Sequence, residues 1–219
     1  LPAGWESVNI SIDGNHTYDL FARFDRDMTP VEARFVVIGI SLGNEGLHEK
    51  GARAVLAYKE NMPRLIRMLQ EQGRVVIVTN NYPRADFNPV DYEDLCAVNL
   101  EVQQWDVPTI NLFGTIDDGH GRWAAHMWNG TDIYHPNQRG HRAMASAFPP
   151  SMWEALQAGK PLPQYVCGAR NFRTRGTSGV LYAQLCQHGY YLYRSLFCGA
   201  KQTMAIHQRT IAFNCGSSP

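Results

Sequence analysis

Over residues 1–159, short runs of β-branched and aliphatic residues alternate with longer stretches whose apolar positions recur every three or four residues. That alternation of the two periods predicts a parallel sheet covered by helices, because each strand must be followed by an element that carries the chain back across the sheet. Strands are predicted at residues 8–12, 35–40, 75–79 and 109–113. Between the second and third, Val55, Tyr58, Met62, Leu65 and Leu69 fall on one helical face, and Gly73 stands where a helix would stop. Pro63 predicts that this helix either kinks or begins there, since proline removes a backbone donor. A second helix is expected from about residue 90 to 105, and a third from about Asn137, divided by Pro149-Pro150. Beyond Gly159 the period is lost, and no internal repeat is visible.

The chain has 219 residues and 44% apolar content, enough for one α/β domain and something smaller. Charge and cysteine sharpen the boundary that the lost period suggests. Residues 1–159 carry a net charge of −7, whereas residues 160–219 carry +7 and contain no acidic side chain. Cys167, Cys186, Cys198 and Cys215 all lie in that second stretch, and only Cys96 lies before it. The expected organisation is therefore a domain at 1–159 and a basic, cysteine-containing extension at 160–219. Four cysteines in a short stretch suggest two disulfides and an oxidising compartment, and the lack of a C-x-x-C pair argues against zinc. The balanced total charge gives no reason to expect nucleic acid as a partner. No apolar run approaches the ~20 residues that span a bilayer.

The strongest chemical signal is Asp132-Ile133-Tyr134-His135-Pro136-Asn137, followed by Gly140-His141 and a helical pattern. A carboxylate three residues before a histidine can accept the Nδ1 proton and leave Nε2 free as a general base. A bare D-x-x-H can also be an ordinary helix-entry loop in which the aspartate is a cap. A metal site built from His120, His126, His135 and His141 is disfavoured because no ligand set shares a helix face.

The run from Asp132 to His141 resembles the last sequence block of the SGNH (GDSL-type) hydrolases, whose Asp and His belong to a catalytic triad. Two other stretches agree and stand in family order. Ser41-Leu42-Gly43-Asn44-Glu45-Gly46-Leu47 resembles the third block, whose asparagine donates to an oxyanion, and Val8 to Gly14 resembles the second block, whose glycine amide is another donor. The resemblance covers roughly residues 5–157. It implies a flavodoxin-like three-layer α/β/α fold with its first strand missing, and an ester hydrolase with Asp132 and His135 in the triad and Gly14 and Asn44 in the oxyanion hole. It implies no metal or organic cofactor. The expected substrate is a small-molecule or carbohydrate ester, with a lipid ester as the other class.

The first block of these hydrolases, a strand running into Gly-Asp-Ser, should precede Val8, and only seven residues stand there. The expected source of the nucleophile is a segment upstream of Leu1, which does not open a signal peptide and suggests a cleavage point or truncation. Ser41 lies three residues before Asn44 and cannot fill both positions of one site. In a circularly permuted arrangement the weaker candidate is Ser195, at the end of Tyr190-Tyr191-Leu192-Tyr193-Arg194-Ser195, although Arg194 stands where the block has Asp. The opposed expectation is a non-catalytic, glycan-binding or structural member of the fold. Of three sequons, at Asn9, Asn15 and Asn129, only the last is a reasonable glycan acceptor, and with the cysteines it points to an extracytoplasmic protein. Trp123, Trp128 and Tyr134 would suit stacking on a sugar ring.

Overall fold

The computed structural model describes residues 4–128 and 130–160, together with the backbone of 208–214. Its centre is a five-stranded, wholly parallel sheet in the order β1-β5-β2-β3-β4. The strands are β1 (Trp5–Asn9), β2 (Phe35–Gly39), β3 (Val75–Thr79), β4 (Thr109–Ile110) and β5 (Gln208–Asn214). The helices that cross between them are α1 (Thr17–Ala22), α2 (Leu42–Glu45), α3 (Leu47–Lys50), α4 (Ala52–Glu71), α5 (Pro89–Val102), α6 (Phe113–Ile116), α7 (Gln138–Ser146) and α8 (Pro150–Gln157).

Alternation along β2 assigns the two outer layers. Val36 and Ile38 enter one core with Leu20 of α1, Tyr58, Met62, Leu65 and Leu69 of α4, and Leu95 and Val98 of α5. Phe35 and Val37 enter the opposite core with Ile77, Ile110, Met144 of α7, and Met152, Trp153 and Leu156 of α8. A strand apolar on both faces needs helices on both, and this is the three-layer architecture that the family resemblance implies. Leu65 is fully buried in the first core. Leu65→Ala is expected to destabilise the protein by about 2–5 kcal/mol, read from the shift of the denaturant midpoint, because the close-packed surroundings relax only partly into the void.

The helix predicted from the 55–69 periodicity is α4, and it runs unbroken through Pro63 rather than starting there. Proline leaves one carbonyl without its helical donor, but the apolar positions before and after it lie on the same buried stripe, so packing against the sheet holds both halves together. Gly73, at φ 76°, ends the helix as expected: Arg74 N–H donates to the Leu69 carbonyl and Gly73 N–H to that of Gln70. The helix expected near residue 90 begins at Pro89 under an Asn88 cap, whose side chain accepts from Val90 and Asp91 N–H.

Two strands differ from their sequence prediction. β1 lies three residues earlier than the predicted 8–12, because its bounds are set by pairing, Trp5 with Gln208 through Asn9 with Ala212. β4 stops at Ile110, since Phe113 N–H is captured by Asn80 Oδ1 at 2.9 Å and Gly114 N–H by Asn111 Oδ1 at 2.8 Å, which turns the chain into α6. The position between β1 and β2 is taken by β5, paired on its other side from Phe35–Thr210 to Gly39–Asn214. The strand between β1 and β2 is thus supplied by residues 208–214, and among the described residues no strand precedes β1. Cys167, Cys186, Cys198, Cys215, Ser195 and Asn129 lie outside the described residues, and Cys96 is a half-buried free thiol. No helix among the described residues is long and apolar enough to cross a membrane.

Candidate active site

In an open parallel sheet the loops that leave the carboxyl ends of the strands diverge on either side of a point where the strand order reverses, and ligands bind in that crevice. Here β1 and β2 flank β5, so the loops after β1 and β2 border the crevice. The first contains Gly14, at φ 71°, a backbone conformation that side-chain-bearing residues rarely adopt. A Cβ on Gly14 would meet no atom within 4 Å, so the constraint there is backbone conformation, not space. The second loop opens α2. Ser41, 3% exposed, caps it by accepting from Asn44 N–H at 3.4 Å, which commits the hydroxyl to a structural role. Asn44 Nδ2 donates to the Asn15 carbonyl at 2.9 Å and so ties the two loops together beside Gly14.

Asp132 and His135 sit on the loop that enters α7. His135 Nδ1 lies 3.0 Å from Asp132 Oδ2, while Asp132 Oδ1 accepts from Tyr134 N–H at 2.8 Å and His135 N–H at 2.9 Å. One carboxylate oxygen is therefore spent on the backbone turn and the other on the imidazole. The loop is pinned from several sides. Trp128 Nε1 donates to the Asp132 carbonyl at 2.8 Å. Asn137 caps α7 by accepting from Arg139 and Gly140 N–H, and its Nδ2 reaches the His126 carbonyl at 3.0 Å. Gly140 is a packing requirement, because a Cβ there would lie 2.5 Å from Pro136 Cβ. The Asp-x-x-His-Pro-Asn-x-x-Gly pattern thus folds as one capped turn.

Burial works against ionisation of Asp132, and the donors from Tyr134 N–H, the His135 ring and His135 N–H outweigh it, so its pKa lies below the usual aspartate value. A depressed carboxylate contributes stability that is complete above the unfolded-state pKa and is lost as pH falls through the lower folded-state pKa. Asp132→Asn is accordingly expected to flatten the acid side of the stability profile, measured as unfolding midpoint against pH. His141 is held below its ordinary value by burial and by the neighbouring His135 charge, partly offset by Asp132, which favours its neutral form beside the pair.

Of the three aromatic residues suited to stacking on a sugar, Trp123 is not available. It is 4% exposed in the core between α6, α7 and α8, with its indole N–H on the Pro83 carbonyl. Packing won there because a buried indole needs only one acceptor to satisfy it. Trp128 and Tyr134 remain exposed, Trp128 four residues before Asp132 and Tyr134 between Asp132 and His135.

Arg84 was not visible as a site residue in the sequence. It lies in the loop after β3, 8% exposed, and bridges the two halves of the site. Its Nη1 donates to the Gly43 carbonyl at 2.8 Å and its guanidinium carbon lies 4.4 Å from the Tyr134 ring centroid. The next residue, Ala85, donates its N–H to the Ile133 carbonyl at 2.9 Å. The only sequence signal was its place in a loop following a parallel strand.

A parallel α/β/α sheet thus carries the Asp132–His135 contact and the linked Gly14 and Asn44 loops. The chain belongs to the GDSL-like lipase/acylhydrolase family, whose sequence pattern matches residues 2–143. The activity of that family is hydrolysis of ester bonds. Two solved structures share the fold. One is a protein from Desulfitobacterium hafniense DCB-2 assigned to the G-D-S-L lipolytic family, with TM-score 0.51 and 13% identity over 61% of this chain and 74% of the other. The second, from Bacteroides fragilis NCTC 9343, is assigned as an acylhydrolase, with TM-score 0.51 and 18% identity over 67% of this chain and 72% of the other. No curated protein matches the chain.

Proposed function

We propose that the protein hydrolyses a carboxylic ester by an acyl-enzyme route in which His135 is the general base and Asp132 orients it. The observation that carries this reading is the 3.0 Å contact between His135 Nδ1 and Asp132 Oδ2, which leaves Nε2 as the ring nitrogen available for proton transfer. A serine Oγ attacks the acyl carbon as its proton passes to His135 Nε2, and Gly14 N–H and Asn44 Nδ2 take the oxyanion. The intermediate collapses by breaking the acyl–alkoxy bond, and the alcohol leaves with the proton held by His135. Water, deprotonated by the same nitrogen, then releases the acid.

We assign the serine to the chain that leaves β5. β5 stands between the two strands that lead into the Gly14 and Asn44 loops. Gly216-Ser217-Ser218 follows Asn214 by one residue and repeats the Gly-x-Ser spacing of the family's first block, with Ser217 in place of its Asp. These residues and the earlier candidate Ser195 lie outside the described structure, so the support for Ser218 is the position of β5 and the order of residues after it. For the substrate, exposed Trp128 and Tyr134 beside the pair favour an acylated carbohydrate.

The test is p-nitrophenyl acetate hydrolysis with fluorophosphonate labelling and mass mapping of the modified serine, on this chain and on a version extended upstream. Turnover with label on Ser218 is the expected result. Label on Ser195 or upstream would keep the reaction and remove the assignment of the nucleophile. No label and no turnover in either version would favour the non-catalytic, glycan-binding reading.

A further inference from the structure

We propose that Arg84 is a positioning residue that holds the oxyanion loop and the histidine loop at a fixed separation; this rests on the hydrolase reading of Asn44 and His135. Each polar face of its guanidinium is spoken for. Nε donates to Asp86 Oδ1 at 2.9 Å and Nη2 to Asp86 Oδ2, forming a bidentate pair with both side chains about nine-tenths buried. Nη1 is left to reach the Gly43 carbonyl, in the peptide unit that leads into Asn44. The flat face of the same group lies against Tyr134, the residue before His135, whose ring meets the imidazole edge-on at 6.4 Å.

The packing around this group is as tight as the hydrogen bonding. A Cβ on Gly43 would lie 2.4 Å from Arg84 Cδ, so glycine at 43 lets the side chain pass directly over the backbone of the oxyanion loop. Asp86 neutralises the guanidinium, so what Arg84 supplies to the site is geometry rather than net positive charge. The two loops it joins come from distant parts of the chain. One follows β2 and the other precedes α7. For acyl transfer the separation between a general base and an oxyanion donor decides whether one bound ester can satisfy both, and a misplacement of about 1 Å typically costs about 100-fold in rate.

Arg84→Lys is the informative variant. Lysine keeps the charge, but a single ammonium has neither the planar fork nor the flat face, so it cannot serve Asp86, Gly43 and Tyr134 together. We expect kcat to fall about 10- to 100-fold with KM within about threefold. Added to Asn44→Ala, Arg84→Lys is expected to cost much less than it does alone, because the donor it positions is gone. Asp86→Asn, which removes one of the two acceptors that orient the guanidinium, is expected to lower kcat in the same direction as Arg84→Lys, together with the unfolding midpoint.

A second readout does not need turnover. The His135 ring Cε1–H and the Asn44 side-chain NH2 resonances should both move in Arg84→Lys while the bulk of the amide spectrum stays in place. Movement of both resonances in an inactive chain would support the role of Arg84 and count against the hydrolase reading alone. The proposal is overturned by a folded Arg84→Lys protein with wild-type kcat, by losses that multiply in the pair with Asn44→Ala, or by unmoved His135 and Asn44 signals.

Discussion

His135→Ala is expected to lower kcat/KM for an activated ester by about four to six orders of magnitude with little change in KM. The effect should fall on kcat because the imidazole acts only as the proton moves, while the ester is held by other groups. The fold should survive. The His135 side chain is about one-third exposed on a loop, and its removal leaves Asp132 with two backbone donors, Tyr134 N–H and His135 N–H. Thermal unfolding within a few degrees of the parent would separate lost chemistry from lost structure. Fluorophosphonate labelling should slow in parallel, since phosphonylation of the serine needs the same base. Retention of full activity by a folded His135→Ala protein would remove the Asp132–His135 pair from the mechanism.

Asn44→Ala carries the second largest expected effect, a loss of about two to three orders of magnitude in kcat, equivalent to about 2.7–4 kcal/mol of transition-state stabilisation. A primary amide has two N–H donors. One of them is fixed on the Asn15 carbonyl at 2.9 Å, which orients the group and leaves the other to point at charge that develops on the substrate. Asn44→Asp has nearly the same shape but only acceptors, and adds a negative charge beside a developing oxyanion, so it should be at least as damaging. Both variants lose the tie to the Asn15 loop, and the comparison of kcat with unfolding midpoint separates the two roles. A drop in stability with kcat unchanged would leave Asn44 as a loop fastener and no more.

The parts of this site that were legible before the fold are those whose partners are close in sequence. Asp132 and His135 are three residues apart, and a capped turn is enough to bring their side chains together. Likewise Gly73 and Asn88 announce the end of α4 and the start of α5 through local backbone chemistry. Arg84 was silent because its two destinations, Gly43 and Tyr134, come from other elements, and nothing in a loop arginine says which carbonyl or ring it will meet. Trp123 misled for the opposite reason: its neighbours in sequence are polar or small, and only the packing of α6, α7 and α8 around it makes it core.

By itself the sequence determined the alternation of strands and helices, the two-sided burial of the central strands, the His–Asp turn and the order of the family's blocks, because each follows from periodicity or from contacts a few residues long. Tertiary structure alone decided which strand stands between β1 and β2. Strand order is a matter of backbone pairing between segments far apart in the chain, and the same N–H and C=O groups are offered by every strand, so the sequence carries no local mark that Gln208–Asn214 pairs with β1 and β2. The adjacency of the Gly14 and Asn44 loops follows from that order, since the strands they leave flank β5.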